Sequence, residues 1–191
     1  MTSPATTRYS LDPAPDTLTL AQDLLNTRGV GAQPDLLADV PTASTWLAQV
    51  LPGAVEVSAA DLEQLRAFRA ELHRFVTPEA AEPEERAPGA PTPVTVARSA
   101  SAELVLGADG LVELRAGGDG AEYVISRVLA EVLSGQQVDT WRRLKACKND
   151  RCRVVFYDRS RNNSGVWHSL KTCGNPANLR AFRARNKEVS G

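Results

Sequence analysis

The sequence predicts an α+β chain: a mainly helical N-terminal domain carrying one β-hairpin, followed by a small β-hairpin plus helix module. Three observations carry this reading. Several upstream stretches repeat apolar residues at spacings of three and four, which marks one face of a helix. The run "ELVLGADGLVEL" alternates apolar and polar positions around Asp109-Gly110, the pattern of a β-hairpin. All three cysteines and one of the two histidines fall within 27 consecutive positions, from Cys147 to Cys173.

Residues 1–16 are rich in Pro, Thr and Ala and are expected to form a flexible tail. "TLTLAQDLLNTRG" places Leu18, Leu20, Leu24 and Leu25 for a short helix ending near Asn26 and Gly29. "PTASTWLAQVL" predicts a second, with Trp46, Leu47 and Val50 inward. In the third helix Ser58 is the expected N-cap and Asp61 completes a capping box. Its stripe is Leu62, Leu65, Phe68, Leu72 and Phe75, and His73 lies off that stripe as a surface residue. Residues 77–93 carry five prolines and four glutamates and read as a long exposed loop within one domain. After the hairpin, "AEYVISRVLAEVLS" predicts an amphipathic helix with Val124, Val128, Leu129 and Val132 on one side and Gly135 past its end. The N-terminal domain therefore spans 17–137.

The net charge of −1 hides a strong asymmetry. Residues 1–140 hold 9 Lys+Arg against 20 Asp+Glu, whereas residues 141–191 hold 13 against 3. A basic segment on an acidic body indicates a polyanion-binding module, unless the two parts simply attract each other. No stretch approaches a membrane span, and the N-terminus lacks the apolar core of a secretory signal. The expected location is the cytoplasm, with no membrane association and with thiols kept reduced.

The cysteine cluster reads Cys147-x4-Cys152, then His168-x4-Cys173. Two close pairs of sulfur and imidazole donors are how a chain builds a tetrahedral structural zinc site. Four protein ligands leave no position for an activatable water, which argues against a zinc hydrolase. The alternatives are buried thiols, or a catalytic cysteine paired with His168, but no oxyanion site or third orienting group accompanies them. Asn149 and Asp150 are turn formers between the first pair, and "RVVFYD" supplies a returning strand. Asn175 as N-cap with Pro176 at the first helical position predicts a helix over "PANLRAFRARNK". The second module is thus a zinc-stabilised β-hairpin plus helix.

"RLKACKNDRCRVVFYDRSRNNSGVWHSLKTCGN…RAFRAR" resembles the CGNR zinc finger over residues 141–187. More loosely, "LAQDLLNTRG…DLLADVPTASTWLAQ" resembles the ABATE domain that precedes this finger in a bacterial family. The resemblance implies a stress-response transcription regulator whose finger binds DNA and whose four metal positions are Cys147, Cys152, His168 and Cys173. His168 stands where the family usually has cysteine, which makes the site one charge less negative. Pro176 replaces the signature arginine, and "NSGVW" lacks the basic residues often found before the tryptophan.

Arg180, Arg183 and Lys187 recur at i, i+3 and i+7 and would line one helix face, with Leu179 and Phe182 turned away. Arg159, Arg161 and Lys171 extend that patch from the loop. These six are the candidate nucleic-acid contacts. The expected function is a DNA-binding transcription regulator, not an enzyme, with an N-terminal domain that senses a small-molecule ligand or mediates homodimerisation. The alternative is a protein-interaction module whose zinc finger is structural and whose basic face binds an acidic protein surface.

Overall fold

The structure is a computed structural model that describes residues 2–77, 98–176 and 179. In chain order the helices are α1 (Pro4–Thr7), α2 (Thr19–Asn26), α3 (Val40–Val50) and α4 (Ala59–Phe75). The hairpin β1 (Ala102–Leu106) and β2 (Val112–Ala116) follows, then α5 (Gly120–Gln137), then a second hairpin, β3 (Leu144–Ala146) and β4 (Val155–Tyr157). Both hairpins are separate two-stranded antiparallel sheets. The α+β prediction holds, and no helix among the described residues is long and apolar enough to cross a membrane.

Helix α2 is the centre of the molecule, with all eight of its residues buried. Its leucines join Leu18, Trp46, Leu47, Leu62, Leu65, Val124 and Val128 in one apolar core. The same helix also buries Gln22, Asp23 and Asn26, and these polar side chains are satisfied by segments distant in sequence. Asp23 accepts from the Thr6 amide at 2.8 Å and from Trp46 Nε1 at 2.8 Å, holding α1 and α3. Gln22 Oε1 accepts from the Ala14 amide at 2.6 Å. Asn26 Nδ2 donates to the Val155 carbonyl and its Oδ1 accepts from the Val155 amide, both at 2.8 Å. One side-chain amide thus stands in for a neighbouring strand along β4.

This arrangement corrects the expected flexible tail over residues 1–16. Ala5 and Thr6 are fully buried against α2. Arg8 closes the C-terminal end of α2 by donating to the carbonyls of Asn26, Thr27 and Arg28 at 2.7, 3.0 and 2.8 Å. A cation there satisfies carbonyls that have no partner within the helix.

The Ser58–Asp61 capping box forms as expected and starts α4. Leu62, Leu65, Phe68 and Leu72 are buried, but Phe75 is 65% exposed because it sits on the last turn, beyond the packed face. His73 is not a free surface residue: its Nε2 donates to the Arg153 carbonyl at 2.9 Å. Gly135 does not follow α5 but lies within it. A Cβ there would come 2.7 Å from Leu18 Cδ2, so a side chain is excluded by close packing. The Asp109-Gly110 hairpin pairs Leu104 with Leu114 and Leu106 with Val112, as the alternation required. Most of the proposed 77–93 loop lies outside the described residues.

The boundary drawn between 137 and 141 is not a physical gap. Leu144, Ala146 and Val155 belong to the same apolar core as α2, and the Ala146 amide donates to the Val76 carbonyl at 2.7 Å. Replacing Asn26 by Ala removes both bonds to Val155 and orphans its buried amide. The expected loss is about 2–3 kcal/mol in urea unfolding, and a loss indistinguishable from zero would refute the role given to this pair.

Candidate metal centre

Strand β3 delivers Cys147, whose amide donates to the Val154 carbonyl at 2.8 Å. Between these residues the chain makes a tight knuckle. The Asn149 carbonyl accepts from the Cys152 and Arg153 amides at 2.8 and 3.0 Å, and Arg153 takes a left-handed conformation at φ 57°. Asn149 also donates from Nδ2 to Cys173 Sγ at 3.3 Å, so it supports a sulfur as well as forming the turn. A hydrogen bond to a ligand sulfur orients it and stabilises its anionic form.

The second ligand pair returns through the loop after β4. Asp158 organises that loop, accepting from Lys145 Nζ at 2.8 Å, the Ser160 amide at 2.9 Å and the Gly165 amide at 2.7 Å. A Cβ on Gly165 would lie 2.9 Å from the Asp158 carboxylate, so the approach needs glycine. Arg143 holds the same loop by its carbonyls at Asp158 and Ser160. The Lys148 amide then donates to the Val166 carbonyl at 2.9 Å, laying Trp167 and His168 beside the knuckle.

The last ligand corrects the expected helix start. Ser169, not Asn175, is the N-cap: its Oγ accepts from the Thr172 amide at 3.2 Å. Cys173 lies inside the wide helical turn Leu170–Gly174, and Asn175 already has helical geometry. Ser169 is placed there because the turn must wrap Cys173 inward before the helix proceeds. The rest of the predicted helix, from residue 177, lies outside the described residues except for the exposed Leu179.

The ligand atoms of Cys147, Cys152, His168 and Cys173 lie within 4.8 Å of one another. His168 Nδ1 is 3.3 Å from Cys152 Sγ and 3.6 Å from Cys173 Sγ. Tetrahedral zinc, with Zn–S near 2.3 Å and Zn–N near 2.0 Å, sets its donors roughly 3.5–3.8 Å apart. The cluster fits structural Zn2+. Hydrogen bonding to Cys152, and after it to His168, lowers the Cys147 thiol, the direction that favours the thiolate zinc binds. The same hydrogen bond to Cys147, together with burial, pushes Cys152 the other way.

Apolar cover for the site comes from both ends of the chain. Trp167 packs on Cys147, Cys152, Val154 and Cys173, and so do Tyr9, Leu11 and Val30 from the N-terminal region. Of the candidate nucleic-acid residues, Arg161 and Lys171 are exposed and have no side-chain partner among the described residues. Arg159 is engaged, donating to the Pro13 carbonyl at 2.7 Å and lying over the Tyr157 ring. Arg180, Arg183 and Lys187 lie outside the described residues. Sequence reasoning missed Asp158, His73 and Tyr9 as supports of the centre; the Asp158-x-Ser160 turn signal was the one hint available.

Residues 143–186 match the profile of the CGNR zinc finger, and residues 18–136 match the ABATE profile, "Putative stress-induced transcription regulator". No curated protein matches the chain.

Metal analysis is expected to find one zinc per chain, lost in Cys173→Ser. Because β4 shares the main core, a chelator should lower a single thermal transition and not release the finger alone; two separated transitions would contradict the shared core. The pH dependence is also set. Burial works to raise the Asp158 carboxyl, but the hydrogen bonds from Lys145, Ser160 and Gly165 outweigh it and hold the group well below the ordinary range. Its contribution is therefore complete above the unfolded value near 3.9 and is lost as the pH falls further. Asp158→Asn should flatten the acid limb of a stability–pH curve measured with zinc present.

Proposed function

We propose that this chain, which belongs to the ABATE family and carries a CGNR zinc finger, is a transcription regulator that holds DNA through the finger. Its N-terminal domain senses a ligand or pairs two copies. The chain is read as a binding protein and not an enzyme, since a zinc with four protein ligands keeps no open position for substrate or water.

The observation that carries the nucleic-acid reading is where the unpaired cations lie. Lys148, Arg151, Arg161 and Lys171 are exposed and unpartnered among the described residues, all within the metal-stiffened module. Upstream, Arg66, Arg69, Arg98 and Arg115 are each in an ion pair, whereas the exposed Arg28 and Arg74 have none among the described residues. None of the ion pairs among the described residues joins residues 2–137 to residues 141–176. Among the described residues the two parts meet instead through Gln22, Asn26, His73, the Arg159 bond to the Pro13 carbonyl and apolar contacts. Cations held on a rigid scaffold and left free of protein partners suit phosphate contacts, each of which releases condensed counterion.

The dimerisation reading is supported by the β1–β2 face, where Leu104, Leu106 and Val112 are largely exposed. An apolar face of this kind on a two-stranded hairpin favours burial against a partner.

Binding to duplex DNA should weaken steeply with salt. Arg161→Ala combined with Lys171→Ala should reduce the log–log slope by about 2, close to one unit for each phosphate that is no longer neutralised. Absence of binding even at low salt would favour the alternative, in which the basic residues meet an acidic protein surface.

A further inference from the structure

A cavity of about 370 Å³ opens between α2 and α4, lined by Leu25, Ala70, Arg28, Arg66, Arg69 and His73, together with Asp35. Its size is within the range of small-molecule sites. Its charge is not balanced from within. Asp35 is the one carboxylate on the lining, and it is consumed: Arg69 holds both its oxygens at 2.7 Å, and the Leu37 amide donates to it at 2.8 Å. Arg66 is fixed by the carbonyls of Leu37 and Ala38 and shares its charge with Glu63, which is 76% exposed and so screened by water. Arg28 has no side-chain partner among the described residues.

The field in the cavity is consequently positive. Burial lowers the pKa of His73, its hydrogen bond to the Arg153 carbonyl opposes this, and the charges of Arg28, Arg153 and Arg69 lower it further. Among the described residues no anion compensates the Arg28 guanidinium at the mouth of this half-apolar cavity. Such a geometry is matched by a ligand with one anionic group and a small apolar body.

We propose that this cavity is a binding site for a small organic anion, with a carboxylate or phosphate group held by Arg28 beside Arg66 and an apolar part against Leu25 and Ala70. The site also touches the metal module. His73 lines the cavity and donates through Nε2 to the carbonyl of Arg153, the residue after Cys152. A ligand that fixes the imidazole ring fixes the support of the zinc knuckle. The use of this site as a signal rests on the regulatory reading above, whereas its existence rests on the cavity alone.

The test uses the zinc-loaded full chain without DNA, so failure here is separable from failure of the DNA-binding reading. Sodium benzoate and inorganic phosphate are titrated separately and followed by NMR, with sodium chloride at matched ionic strength as the reference. Saturable shifts at Arg28, His73 and Arg153 with either anion are the expected result. The stronger of the two identifies the carboxylate or the phosphate class. Arg28→Ala should weaken binding by about tenfold or more, while Arg115→Ala, which removes an exposed arginine of the β1–β2 hairpin outside the cavity, should leave it unchanged. Arg28 makes no bond that the fold needs, so its loss should not unfold the chain, and the thermal transition checks this. Neither anion saturating above the chloride reference, or Arg28→Ala binding as well as the parent, overturns the proposal.

Discussion

The pairing of Asn26 with both backbone groups of Val155 is the constraint on which the rest of the structure depends. A helix with no solvent face cannot leave polar side chains unmatched, because each buried orphan costs about 1–3 kcal/mol. Helix α2 buries Thr19, Gln22, Asp23 and Asn26, and together they recruit distant segments: Thr19 and Gln22 the chain at Ala14, Asp23 the first helix and Trp46, Asn26 with Gln22 the strand β4. Satisfying them dictates where the N-terminal segment, α3 and β4 must lie. Once β4 is placed, its partner β3 follows, and Cys147 is delivered one residue later.

The metal centre consequently has two origins. Its ligands all come from residues 147–173, but its apolar cover includes Tyr9, Leu11 and Val30. A module of this size buries too little apolar surface to be stable unaided. Here the deficit is met twice, by four zinc donors and by a body that supplies both packing and hydrogen bonds. The expected division into independent domains understates this. The sequence places a boundary between residues 137 and 141, yet one core takes Val132 from one side and Leu144, Ala146 and Val155 from the other.

Local chemistry was legible in the sequence wherever it was self-contained. The Ser58–Asp61 box, the Asp109-Gly110 hairpin and the paired spacing of the ligands depend on residues a few positions apart, and each appears in the structure. What could not be read required a partner distant in sequence. Gln22, Asp23 and Asn26 have the spacing of a solvent-facing stripe, and only the segments that cover them make them interior. Residues 1–16 have the composition of a tail, and burial of Ala5 and Thr6 comes from a helix further along the chain. Gly135 resembles a helix stop; its reason for being glycine is Leu18 across the core. Within the metal module the ligands were evident but their positioning was not. Ser169 displaced Asn175 as the cap because Cys173 has to turn inward before the helix can continue.

The way the two parts are joined bears directly on how they function together. An interface made from ion pairs would consume the charges of the basic module and weaken with salt. Among the described residues this one uses an amide pair, a histidine–carbonyl bond, the Arg159 bond to the Pro13 carbonyl and apolar packing, so docking spends Arg159 but leaves Lys148, Arg151, Arg161 and Lys171 uncommitted. It also makes the connection local. The α4 side chain that lines the Arg28 cavity is the one that supports the knuckle behind Cys152, with no flexible segment between them. A ligand in the proposed cavity would therefore sit one hydrogen bond from the metal module that carries these cations. Coupling of that kind needs no rearrangement of domains, only two arrangements of His73 with different affinity for an anion.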